Sequence, residues 1–202
     1  MLQAALIVAG GYLLGSMPFG YWVVRLFRHE DIRQVGSGNI GTTNVWRSYG
    51  RKLGIPVVLL DVAKGTAPAL AGTLLVSHWI GIAAGAAAMV GHWRPLFLGF
   101  AKGGKTVATY GGVLWGLAPL VALCGIGVWL VLFLTLRYAS VASMVAAASL
   151  PFVAYALGEP WPVVGFAGVA AVAVVVLHRA NIARLVHGQE SRFHFRRLPT
   201  RV

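Results

Sequence analysis

The chain has 202 residues and a formal charge of +12, yet only 11% are charged, 58% are hydrophobic, and mean hydropathy is +0.76. An average soluble domain carries roughly 25% charged residues, so this composition excludes a soluble globular protein and points to a single membrane domain, residues 1–202. The basic residues fall in loops between apolar runs, which favours the positive-inside rule over nucleic-acid binding, and the lone Cys124 excludes an internal disulfide or a Cys-based metal site.

Leu2 to Val24 is an apolar run of 23 residues. At ~1.5 Å per residue it covers about 35 Å, enough for a hydrocarbon core of about 30 Å. No Lys or Arg precedes it, so it is expected to stay as a span rather than be cleaved as a signal peptide. The loop from Arg25 to Lys52 holds six Lys or Arg. Leu53 to Phe100 is apolar over 48 residues, breaks near Ser77-His78 and fits two spans. Ala101 to Lys105 is a short loop with two lysines. Thr106 to Leu136 is apolar over 31 residues and ends at Arg137. Tyr138 to Leu177 holds two further spans, divided at Gly158-Glu159-Pro160-Trp161-Pro162, and the tail from His178 carries six arginines.

Basic loops share one face only if an even number of spans separates them. The 31-residue run must then hold two short spans that turn near Gly116 to Pro119. The expected fold is an all-α integral membrane protein with seven transmembrane helices, the N-terminus outside and the C-terminus cytoplasmic. Its fourth span has about a dozen residues, as a short crossing or a half-span. The outer turns lack Lys and Arg, and Trp79 and Trp161 fit an outer aromatic belt.

The polar clusters all fall on the cytoplasmic side. Gly36 to Arg47 reads GSGNIGTTNVWR. Its glycines let backbone amides turn inward, Ser37, Gly38, Asn39, Thr42, Thr43 and Asn44 supply small donors, and Arg47 supplies a planar cation suited to phosphate. Arg51 and Lys52 follow. Asp61 and Lys64, in DVAKG, are three apart on one helical face and read as a structural ion pair. In GHWRPLFLGFAKGGKTVAT, Lys102 and Lys105 flank Gly103 and Gly104 before a helix start, a favourable place for an anion. Ser140 and Ser143 share a face, as do His178 and Asn181 in HRANIARLVHGQE. The five acidic residues are Glu30, Asp31, Asp61, Glu159 and Glu190; no pair has metal-site spacing, so neither a metal nor a cofactor is expected.

Taken in order, GSGNIGTTN with Arg47, DVAKG, GH-x-x-P-L-F-L with KGGK-x-VAT, RYASVAS and HR-x-NI-x-RL-x-x-G-x-E resemble the acyl-phosphate:glycerol-3-phosphate acyltransferase family (the PlsY type) of bacterial membranes. The resemblance covers nearly the whole chain. It implies seven spans in the bacterial inner membrane and an active site at the cytoplasmic face. It also implies transfer of a fatty acyl group from acyl phosphate to the sn-1 hydroxyl of glycerol-3-phosphate, giving lysophosphatidic acid and phosphate. Its phosphate-binding lysine maps to Lys105. The chain departs from the family pattern by an extra residue at Ala101, by Thr106 where glycine is usual, and by Thr42 where alanine is common.

On this reading the Ser37 to Asn39 turn receives the acyl phosphate and the developing oxyanion. Arg47, Lys105, Ser143, His178 and Asn181 hold glycerol-3-phosphate, with further phosphate contacts from Thr43, Asn44, Arg51, Lys102, Gly103 and Gly104. Either His178 or a substrate phosphate accepts the proton. Expected partners are the two substrates, membrane lipid and a soluble enzyme that makes acyl phosphate, with no nucleic acid. Two rival classes are a transporter or channel for organic phosphates and a non-catalytic subunit that binds anionic lipid. The first should place polar groups through the bilayer to both faces; the second needs charge but not repeated Gly, Ser and Asn.

Overall fold

Apolar stretches become helices here because only a helix satisfies its own backbone where water is absent. The computed structural model describes residues 1–193, and among them there are ten α-helices and no strand. Three of the tail arginines, Arg196, Arg197 and Arg201, lie outside the described residues.

The first apolar run is not one helix. It is α1 (Leu2–Gly15) and α2 (Phe19–Arg28), interrupted at Ser16 to Pro18. Proline has no amide to donate, so a helix is readily broken there. The break leaves the Met17 carbonyl to accept a hydrogen bond from Lys64 Nζ at 3.0 Å. The basic loop that follows contains a 3-10 turn (Ile32–Gln34), capped by the Asp31 carboxylate on the Arg33 amide, and the short helix α3 (Thr42–Tyr49). The remaining helices are α4 (Arg51–Leu75), α5 (His78–Trp93), α6 (Val107–Leu117), α7 (Pro119–Leu136), α8 (Ala139–Ala156), α9 (Trp161–Leu177) and α10 (Arg179–Val186). Ser77 caps α5 with its hydroxyl on the Ile80 amide, and Pro119 opens α7 at a position where its missing amide costs nothing.

Four stretches are long and apolar enough to cross a membrane: Leu2–Arg28, Arg51–Leu75, Pro119–Leu136 and Ala139–Ala156. The α9–α10 pair, bent by 55°, is long and apolar enough only when the two helices are taken as one stretch. Helix α6 has only 11 residues, about 16 Å, and cannot cross a full hydrocarbon core as an upright helix. It lies in the centre of the protein, where Tyr110, Val113 and Leu114 are buried with Val121, Leu150 and Val174. Its closest neighbour is α4. A Cβ on Gly65 would overlap the Thr109 carbonyl, and one on Gly112 the Val62 carbonyl, so the two backbones touch as small residues allow in membrane helices. Thr66 Oγ1 bridges the pair by donating to the Gly112 carbonyl at 2.9 Å. Large apolar side chains such as Leu59, Leu74, Val131, Phe152 and Val172 face outward.

Candidate active site

Five helices and the segment after α10 bring the polar clusters together. Helix α6 starts just after Lys105, α8 carries Ser140 and Ser143, and the α9–α10 bend falls at His178. Lys105 Nζ donates to Asn181 Oδ1. The other end of that amide donates to Glu190 Oε1 at 2.7 Å, and Ser140 Oγ donates to the same oxygen at 2.7 Å. Arg184 Nε donates to Glu190 Oε2, also at 2.7 Å. Glu190 thus joins α8, α10 and, through Asn181, the loop before α6.

The electrostatics follow from this crowding. Burial pulls the Lys105 ammonium down to about 8, opposed by the Glu190 charge and reinforced by Arg184, Lys102 and Arg47. Burial pushes Glu190 upward, but hydrogen bonds from Ser140, Asn181 and Arg184 together carry it below its usual value. Arg47 is drawn down by burial, with Glu190 opposing and Arg184 reinforcing. One carboxylate therefore stands among several cations, leaving a surplus of positive charge that suits an anionic ligand.

His178 is buried, with Nδ1 at 2.8 Å from the Val174 carbonyl. A carbonyl only accepts, so Nδ1 carries the proton and Nε2 is left as an acceptor. Ser143 Oγ accepts from Trp129 Nε1 at 3.0 Å and keeps its own proton to donate. Arg47, on α3, reaches the Ser191 carbonyl at 3.4 Å through one terminal nitrogen, while its buried Nε has no partner. The buried Asn39 Nδ2 and Thr42 Oγ1 are also without partners, at the start of the same helix. These three unpartnered polar atoms make α3 and its leading turn a second place for an anion.

Several residues of the sequence reading take other places. The Asn44 amide is fully occupied inside the loop: it donates to the Val35 and Asn39 carbonyls at 2.9 Å and accepts from the Ser37 amide at 3.0 Å. It shapes the loop instead of facing a ligand. The Gly103 and Gly104 amides donate to the Trp93 and His92 carbonyls at 2.9 and 3.0 Å, so they hold the loop onto α5 and are not directed at phosphate. Arg51 lines a cleft of about 400 Å³ with Phe27, Arg28 and Tyr49, and no described contact ties it to the Lys105 cluster. Lys102, Ser37 and Gly38 are exposed, and Thr43 lies half-buried in the first turn of α3. Asp61 and Lys64 form a buried ion pair at 2.8 Å. Among the described residues no three His, Cys, Asp or Glu side chains group as a metal site.

Glu190 is the main residue absent from the expected site. Its signal was its place in the Gly-x-Glu that follows the last helix, which did not reveal that its carboxylate gathers three donors.

This arrangement can be compared with known proteins. Residues 5–188 match the glycerol-3-phosphate acyltransferase family. The chain belongs to that family. A glycerol-3-phosphate acyltransferase of Synechococcus sp. (strain JA-3-3Ab) is 46% identical over 191 residues, covering 95% of this chain and 94% of the relative. One from Rhizobium meliloti (strain 1021) is 46% identical over 185 residues, covering 90% and 88%. Among solved structures, the glycerol 3-phosphate form of PlsY (YgiH), an integral membrane glycerol 3-phosphate acyltransferase, has a TM-score of 0.90 at 42% identity, covering 95% of this chain and 96% of that one. The lysophosphatidic acid form has a TM-score of 0.87 at 41% identity, covering 95% of each. The likeness to these integral membrane relatives extends over nearly the whole helical fold.

Proposed function

We propose that this glycerol-3-phosphate acyltransferase moves a fatty acyl group from acyl phosphate to the sn-1 hydroxyl of glycerol-3-phosphate, releasing phosphate and lysophosphatidic acid. The observation that carries the reading is the cationic cluster of Lys105, Arg47 and Arg184 beside His178 and Asn181. The relatives solved with glycerol-3-phosphate and with lysophosphatidic acid support substrate and product.

The substrates carry one phosphate each, and the protein offers two anion-friendly places. The turn before α3, with Asn39, Thr42 and Thr43, receives the acyl phosphate, while Arg47, whose charge acts on those of Glu190, Arg184 and Lys105, faces the glycerol-3-phosphate side. Lys105, Ser143, His178 and Asn181 receive glycerol-3-phosphate. Acyl phosphate is a mixed anhydride with a good leaving group, so positioning and charge stabilisation supply most of the rate. The hydroxyl attacks the acyl carbon, the bond to phosphate breaks, and His178 Nε2 or a phosphate oxygen takes the proton. Ser37 and Asn39 face the developing oxyanion. Lys102 and Arg51 add charge at the entrance. The chain crosses the bacterial inner membrane seven times, with α6 as a short fourth crossing shielded by its neighbours, the N-terminus outside and the site on the cytoplasmic face. A soluble enzyme supplies the acyl phosphate.

The deciding experiment uses purified protein in lipid with palmitoyl phosphate and glycerol-3-phosphate, and acyl-CoA in a parallel tube. Phosphate release that needs both substrates, with lysophosphatidic acid formed and acyl-CoA inert, is the expected result. Folded protein that releases no phosphate retires the catalytic reading and leaves transport or lipid binding.

A further inference from the structure

His92 is buried at the end of α5, is 4% exposed, and takes no part in the reaction just described. Its ring lies between two things. On one side is Gly104: a Cβ built there would overlap His92 Nε2, so the imidazole fills the space a side chain would need. On the other is the buried ion pair, with Asp61 Oδ1 at 3.7 Å from His92 Nδ1. That same carboxylate oxygen is 2.8 Å from Lys64 Nζ, and Lys64 is in turn held by the Met17 carbonyl in the break between α1 and α2. Asp61, Lys64 and His92 are each less than 5% exposed.

The neighbour of Gly104 in the chain is Lys105. The Gly103 and Gly104 amides already bind the loop to the Trp93 and His92 carbonyls. The His92 ring then sets how close the loop approaches α5, and with it where the Lys105 ammonium meets Asn181. We propose that His92 is a positioning residue for Lys105, packed between the Asp61–Lys64 ion pair and Gly104 and acting through its contact with Gly104. A series of packed contacts therefore runs from the α1–α2 break to the phosphate-binding lysine. Charged groups at this depth are costly to keep, and fixing this loop gives the pair a task beyond joining helices. The inference rests on the acyltransferase reading, in that Lys105 is taken to hold the phosphate of glycerol-3-phosphate.

The test measures glycerol-3-phosphate Kd and kcat for His92→Ala in lipid, in the wild-type background and in Lys105→Met. In the wild-type background Kd should rise about tenfold, because a shift of the ammonium weakens its grip, while kcat changes much less. In Lys105→Met, where no ammonium remains to be placed, His92→Ala should change Kd no further. A general loosening of the fold would instead weaken binding equally in both backgrounds, and that result overturns the proposal. Folded His92→Ala with wild-type Kd overturns it too. If His92→Ala does not fold, His92→Gln, which keeps a polar group of similar length, carries the same comparison. Wild-type protein that binds glycerol-3-phosphate but does not turn over would retire acyl transfer alone and leave the Kd comparison readable.

Discussion

At the scale of the residue, Lys105 carries the sharpest consequence. Its ammonium is buried beside other cations and drawn down to about 8, so it begins to lose its proton just above neutral pH. An uncharged amine holds phosphate poorly. Glycerol-3-phosphate binding should therefore weaken as pH rises through about 8, with KM climbing and kcat less affected. Lys105→Arg, whose guanidinium stays charged, should flatten that rise if the larger head is accommodated. A KM that stays level in the wild type from pH 7 to 9.5 would remove Lys105 from phosphate binding. Stability runs the other way: between about 8 and the usual 10.5 the unfolded lysine holds more protons than the folded one, so the unliganded protein gains stability as pH rises there. Glu190, lowered as well, has the same slope at lower pH: its stabilisation is full above its ordinary value of 4.5 and is lost as pH falls through its lowered folded value. The sequence made Lys105, Asn181 and His178 visible because cations, amides and imidazoles sit in motif-like runs. It did not reveal the work of Glu190, whose donors come from positions 140, 181 and 184.

At the scale of the element, the loop before α6 is the informative one. Thr106 is the residue before the helix and has φ +63°, the left-handed conformation that L side chains adopt at a cost. It is also 2% exposed with its hydroxyl lacking a partner. This explains physically why glycine suits the position in the family pattern. Thr106→Gly should remove roughly 1 kcal/mol of backbone strain and the stranded hydroxyl together, and raise the melting temperature by about 3 °C. Thermal unfolding in detergent would read it; a lower melting temperature would mean that Thr106 packing outweighs its strain. Other elements were only partly legible. The breaks at Ser77 and Gly158 to Pro162 were readable from turn residues, and the structure ends helices at Leu75 and Ala156 there. The break at Ser16 to Pro18 was not, because hydropathy stays high across it and only Pro18 marks it.

At the scale of the whole molecule, the short α6 decides how the helices are arranged. A helix of 11 residues surrounded by α4, α5, α7 and α9 has no long lipid face, so it survives by burial and close backbone packing. The orientation of the helices has a direct check by cysteine labelling from outside with a membrane-impermeant maleimide, in a Cys124→Ala background. Ser77→Cys and Gly158→Cys should label, and Ser48→Cys should not; labelling of Ser48→Cys would invert the assignment. Composition, the long apolar runs and the placement of Lys and Arg were determined by the sequence alone, because the bilayer reads each segment by its own hydropathy and length. The tertiary structure alone decided which polar groups pair inside the protein and which are left without a protein partner. Asn44, Gly103 and Gly104 look like ligand donors in the sequence, yet their amides meet backbone carbonyls; Glu190 looks isolated, yet it gathers three donors. A hydrogen bond depends on where two groups meet in space, and pairs such as Ser140 with Glu190, Lys105 with Asn181 and Arg47 with Ser191, 50, 76 and 144 positions apart, meet only after the helices have packed.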